Sequence, residues 1–230
     1  MANPQPQVPV PQLPQLPVNY PRRFDPQAQL PARIQLRIDR WLNDPPESQF
    51  QAYGPVDGYF HAKFPSTFFL IKPQAYLSAV SDLPQGMLLL GWRRPDHNVT
   101  PAGVGVTDNR TYPDFTICQF FGADADGTAA DMIRVVYEIG STSADKRRIY
   151  RQLEGYLHSI TPMRFDGWLL GVAQIQNEVF LMKNTTLNTA DFTPLFPTGW
   201  ISLFDQRFVD ELNQIRDLSY TRDATLLLRT

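Results

Sequence analysis

Cysteine is almost missing from this 230-residue chain: Cys118 stands alone, which excludes an internal disulfide framework and any cysteine-based zinc site. It lies in an apolar run and reads as a buried thiol, in a chain suited to a reducing compartment. Charge is also scarce: 19% of residues are Asp, Glu, Lys or Arg and the net charge is −2. No global basic field draws such a chain to nucleic acid, so phosphate binding requires a local basic patch. Histidine occurs 3 times, and His61 has no partner at metal-ligand spacing. Long hydrophobic runs are missing, as is a basic stretch followed by an apolar one near the start. Secretion and membrane crossing are therefore not expected, and an intracellular (cytoplasmic or nuclear) protein is. The Asn-x-Thr triplets at Asn98, Asn109 and Asn184 are read as chance matches to the glycosylation pattern.

Proline, by contrast, is abundant and unevenly placed. Nine of the 21 prolines fall in residues 1–31, where the first charged residue is Arg22. Proline every two or three residues removes backbone donors and favours an extended polyproline II arm. The plain reading is a solvated linker; the Pro11-Gln-Leu-Pro14 and Pro14-Gln-Leu-Pro17 spacing also suits an aromatic-lined groove on a protein partner. Apolar residues make up 43% of the chain, a globular composition with one sizeable core. Three segments follow: an arm at 1–31, an α/β core at 32–183 and a C-terminal extension at 184–230.

The core opens with Ile34, Ile38, Trp41 and Leu42 at helical spacing behind Pro31, with Arg33, Arg37 and Arg40 off that stripe. Those arginines suit a solvated face or a phosphate contact. Residues 50–91 are aromatic but broken by Gly54-Pro55, Asp57-Gly58, Pro65 and Pro73. They read as loops and small strands with a short helix at 73–80, their aromatics belonging to the core rather than to a base-stacking surface. A buried strand is expected at 87–92 and another short strand at 103–107. The C-terminal part reads as a polar loop, a strand or covering segment at 200–204, and a helix with Asp205 as N-cap and Phe208, Leu212 and Ile215 inward. The leucines at 226–228 are short of what an oligomer interface needs, so a homo-oligomer stays open.

Between these parts lies the stretch with chemistry in it. Tyr112-Pro113-Asp114-Phe115-Thr116-Ile117 reads as a strand with a carboxylate at its mouth. A Gly/Ala/Asp-rich loop at 121–131 leads to Ile133-Arg134-Val135-Val136-Tyr137-Glu138-Ile139, a strand buried on both faces. A carboxylate inside such a run is unfavourable unless paired or metal-bound, which singles out Glu138. Thr142-x-x-Asp145 resembles a capping box, and Ile149, Leu153, Tyr156, Leu157 and Ile160 then recur at helical spacing. Lys146, Arg147, Arg148 and Arg151 share that helix, and strands follow at 168–175 and 178–183 around a Gln176-Asn177 turn. Two acids and a lysine on neighbouring elements can hold a divalent cation and activate water. A structural account also stands, in which Asp114 bonds nearby backbone amides and Glu138 pairs with Lys146 or Arg147.

This order and these motifs resemble the PD-(D/E)xK, or restriction-endonuclease-like, nuclease superfamily over roughly residues 32–183. Pro113-Asp114 is similar to its first motif and Glu138 to the acid of its second. The lysine that commonly stands two residues after that acid is replaced by Gly140. Some branches carry it on the next helix, and Glu138-Ile-Gly-Ser141 with Lys146-Arg-Arg-Ile-Tyr150 resembles that variant. The resemblance implies an α/β fold with a central mixed sheet flanked by helices. It further implies Mg²⁺ (or Mn²⁺) held by Asp114, Glu138 and the Ile139 carbonyl, and Lys146 as the catalytic lysine. Arg147, Arg148 and Arg151 would lie on the nucleic-acid backbone, and the implied activity is phosphodiester hydrolysis, of the kind found in mobile elements or defence systems. The alternative, to which Gly140 and the low net charge point, is a catalytically inactive member of the fold serving as a binding or scaffold subunit.

Overall fold

The computed structural model describes residues 20–73, 113–119, 132–141, 146–160, 167–186, 189 and 191–227. The strands expected at 87–92 and 103–107, the helix at 73–80 beyond its first residue, the loop at 121–131 and the capping-box residues Thr142 and Asp145 lie outside them, as do residues 1–19 of the arm expected at 1–31.

The central element is β3 (Met132–Gly140), buried along nearly its whole length as its β-branched run requires. It pairs antiparallel with β2 (Phe115–Gln119), which pairs antiparallel with β1 (Phe69–Pro73). On its other side β3 pairs parallel with β4 (Leu170–Ile175), and α3 (Lys146–Ser159) makes the crossover that a parallel pair needs. β4 turns back through Gln176 (φ 56°) and Asn177 into antiparallel β5 (Glu178–Asn184). The short strands β6 (Phe192–Pro194) and β7 (Ile201–Ser202) both pair with β5, completing a mixed seven-stranded sheet.

Helices cover both faces. On one, α1 (Ala32–Arg40), α2 (Gln49–Lys63) and α4 (Gln206–Leu227) pack against Phe115, Ile117, Val135, Tyr137, Val172 and Leu181. On the other, α3 lays Ile149, Leu153, Tyr156 and Leu157 over Val136, Ala173, Phe180 and Met182. Cys118 is a buried free thiol on that side. α3 comes close because two strand positions lack a side chain. A Cβ on Gly140 would meet Ile149 Cγ1 and Ile175 Cγ1 at 2.9 Å, and one on Gly171 would meet Leu157 Cδ1 at 2.6 Å. Among the described residues no helix is long and apolar enough to cross a membrane.

Three expectations are corrected. Residues 49–63 form helix α2, not loops: Ala52, Val56, Tyr59, Phe60 and Lys63 recur on one buried face, a period that Gly54-Pro55 and Asp57-Gly58 obscured. The domain does not start at residue 32. Phe24 is 2% exposed and packs edge-on against Tyr59 at 4.7 Å, while Ala28 and Leu30 are also buried. The Arg23 and Phe24 amides donate to Asp39 Oδ1, so α1 holds this segment by its backbone. Nor is 184–230 an extension, because β6, β7 and the Phe208, Leu212 and Ile215 face of α4 complete the sheet and core. Asp205 caps α4 as expected, accepting the Arg207 amide at 3.0 Å. Leu42, assigned to the α1 stripe, is 37% exposed.

The N-terminal segment is fixed to α2 by a charge pair inside the core. Lys63 Nζ lies 2.6 Å from Asp25 Oδ2, which also accepts the Tyr59 hydroxyl at 2.9 Å, and both charged side chains are buried. Burial pulls the Lys63 ammonium below the usual lysine range, against the opposing pull of Asp25. Removing one partner leaves the other charge unmatched in the core. Lys63→Met is expected to lower unfolding stability by about 3–5 kcal/mol in urea titrations, and Asp25→Asn/Lys63→Met to recover part of the loss.

Candidate metal centre

The antiparallel register that sets Phe115 opposite Tyr137 brings Asp114, just ahead of β2, beside Glu138 near the end of β3. The two acids are tied by complementary bonds. The Asp114 amide donates to Glu138 Oε2 at 3.3 Å, and Asp114 Oδ2 accepts the Ile139 amide at 2.7 Å. From the other face of the sheet the Tyr53 hydroxyl donates to the Asp114 carbonyl at 2.8 Å, and its ring lies 4.4 Å from that of Phe115. The Tyr156 hydroxyl on α3 lies near the Glu138 carboxyl and favours its charged form. Asp114 and Glu138 are each only 8% exposed.

Two carboxyls so placed resist ionising together. Burial pushes Asp114 up to about 6, opposed by the Ile139 amide. Burial and then the neighbouring Asp114 charge push Glu138 well above the carboxylate range, against the Asp114 amide, the Tyr156 hydroxyl and the Arg148 charge. A cation between them would remove both penalties.

The donor set fits a hard divalent ion. Each carboxylate commits one oxygen to a backbone amide, and Thr116 Oγ1, two residues along β2, is buried with no hydrogen-bond partner. Among the described residues no three His, Cys, Asp or Glu side chains cluster. Mg²⁺ is ordinarily held by one or two carboxylates with water and substrate phosphate, so a pair is a sufficient protein contribution.

The expected lysine is elsewhere. Lys146 Nζ is 2.7 Å from Glu178 Oε2 and 5.1 Å from the centre of the Trp200 ring. Glu178 pairs with Ile175, which pairs with Gly140, so this ion pair is anchored two strands from β3, roughly 10 Å across the sheet. Tyr150, which closes the Lys146–Tyr150 motif, donates to Glu154 Oε1 at 3.0 Å and packs on Phe180. Neither structural pairing expected of Glu138 is what holds it: its carboxyl accepts the Asp114 amide. Arg147, Arg148 and Arg151 are exposed on α3, and of these Arg148 acts on the Glu138 charge. Tyr156 was hidden in the apolar stripe of α3. The signal that marks it is a buried tyrosine hydroxyl, which needs a partner, on a helix crossing over an acidic strand.

No family model, no characterised protein and no solved structure matches the chain.

Two predictions follow from this geometry. Both folded-state carboxyl values lie above the unfolded ones, so the pair's contribution to stability is full below about pH 4 and is lost as pH rises through about 6 and beyond. Without added divalent ions, Glu138→Gln should melt above wild type at pH 8, and the difference should shrink as pH falls toward the ordinary carboxylate range. A side chain at Gly140 must displace Ile149 or Ile175, both stiff at χ1. Gly140→Ala should therefore destabilise by about 1–3 kcal/mol in chemical denaturation.

Proposed function

We propose that this protein is a divalent-metal-dependent phosphodiesterase of the restriction-endonuclease-like type, acting on nucleic acid. The observation that carries the reading is the Asp114–Glu138 pair, two buried carboxyls bonded to each other's strand at the end of the central strand. Supporting it is the layout around the pair: an acidic antiparallel strand, a buried acidic strand, a crossover helix and a parallel strand. Asp114 and Glu138, with the Ile139 carbonyl, would hold the ion. When bound, Mg²⁺ polarises a phosphate and offsets charge on the attacking and leaving oxygens. Tyr156 and Arg148, both on α3, favour the charged form of Glu138. Lys146 would have to leave Glu178 to serve the reaction. Both members of that pair are about two-fifths exposed, and an ion pair of this kind is worth only about 0–1 kcal/mol.

A second reading rests on that same pair. A lysine that stays on Glu178 and Trp200 leaves the acids without a cationic partner on the reacting phosphate, as in a non-catalytic binding or scaffold subunit.

Cleavage assays on plasmid DNA and single-stranded DNA and RNA separate the two. Wild type should cleave at least one of these in Mg²⁺ or Mn²⁺ and none in EDTA. Asp114→Asn and Glu138→Gln should lose about 100-fold or more in rate, and Lys146→Ala should lose rate while keeping its fold. Absence of cleavage by folded wild type with any divalent ion would remove the enzymatic reading and leave the scaffold.

A further inference from the structure

We infer that the groove between α1 and α2 is a contact site for a single strand of nucleic acid, combining a phosphate clamp with a base-stacking platform. Its ligand class rests on the reading above; its location comes from independent observations.

The groove is open and about 410 Å³ in volume, lined by Arg33 and Arg37 on α1 and by Phe50, Gln51, Gly54 and Pro55 on α2. Its shape follows from two glycines one helical turn apart. At Gly58 the helices touch, since a Cβ there would lie 2.2 Å from Ile34 Cδ1. At Gly54 a Cβ would meet nothing within 4 Å, so the helices leave a gap. Arg33 and Arg37, at i and i+4, project along one side of that gap. Among the described residues neither forms a hydrogen bond or an ion pair, and no carboxylate lines the groove. Phe50 is 73% exposed, the most exposed of the large hydrophobic side chains in the described residues.

Two unpaired guanidinium groups beside a bare aromatic ring match the chemistry of an unpaired strand. Arginine recognises phosphate through paired donors, and an exposed ring stacks on any base regardless of sequence. A duplex offers the phosphates but keeps its bases stacked inside, so it would not use Phe50. One contact links the helix that forms the groove to the strand end that carries Asp114. Phe50 and Tyr53 lie three residues apart on α2, and Tyr53 holds the Asp114 carbonyl.

Fluorescence anisotropy in EDTA tests this without cleavage, using labelled oligo-dT and oligo-U, a duplex of the same length, and heparin as competitor. The full chain should bind both single strands more tightly than the duplex. Arg33→Ala/Arg37→Ala and Phe50→Ala should each weaken binding about tenfold or more. Gly54→Leu, whose Cβ meets no neighbour, should weaken binding by filling the groove while preserving the circular dichroism spectrum. Equal single-strand affinity in wild type and all three variants overturns the inference, as does no binding by wild type. So does loss in the arginine variant alone, with duplex or heparin binding as well as the single strands, which marks a general anion patch. Failure here with metal-dependent cleavage intact removes the groove and leaves the phosphodiesterase. Binding that depends on the groove, with no cleavage by wild type, removes the catalytic reading and leaves a single-strand binding subunit.

Discussion

Two carboxyl groups held against each other at the end of a buried strand are the constraint around which this molecule is arranged. The Asp114 amide bonds the Glu138 carboxyl and the Asp114 carboxyl bonds the Ile139 amide, so each acid fixes the backbone of the other. These bonds lie where the β2–β3 ladder gives out, and they supply partners to backbone groups that a strand end would otherwise bury unpaired. The arrangement is favourable for the backbone and unfavourable for the charges. Both carboxyls are driven toward their neutral forms, and the strain is relieved by a proton or by a cation. That tension is what turns a structural detail of two strands into a candidate site.

The surrounding helices contribute to the same point from opposite faces. α2 brings Tyr53 to the Asp114 carbonyl and α3 brings Tyr156 to the Glu138 carboxyl. α3 can do so because Gly140 and Gly171 let it settle close to the sheet. Gly140 therefore has a packing role. A side chain there would push away the helix that carries Tyr156, Arg148 and Lys146.

Much of the central unit was legible in the sequence. The β-branched run of β3, the helical spacing from Ile149 to Ile160 and the Gln176-Asn177 turn each specify one element with little competition, and all three are found as expected. Their order also placed Asp114 and Glu138 on adjacent strands. What was not legible has physical causes. α2 carries Gly54, Pro55 and Gly58, residues that usually end helices, and tertiary packing of Tyr59 and Phe60 overrides them. Residues 20–31 share the proline-rich composition of residues 1–19, but Phe24 and the Asp39 hydrogen bonds draw them into the core. The Lys146 partner could not be read locally, because Glu178 reaches it only after β4 and β5 have taken their places in the sheet.

The account depends on the acid pair receiving a divalent ion. Titration of the purified chain with Mn²⁺, followed by loss of the free-ion electron paramagnetic resonance signal, measures this directly. The account predicts one ion per chain for wild type, and no saturable binding in Asp114→Asn or Glu138→Gln proteins that keep the native circular dichroism spectrum. A wild type that takes up no ion, or variants that bind as wild type does, would contradict it.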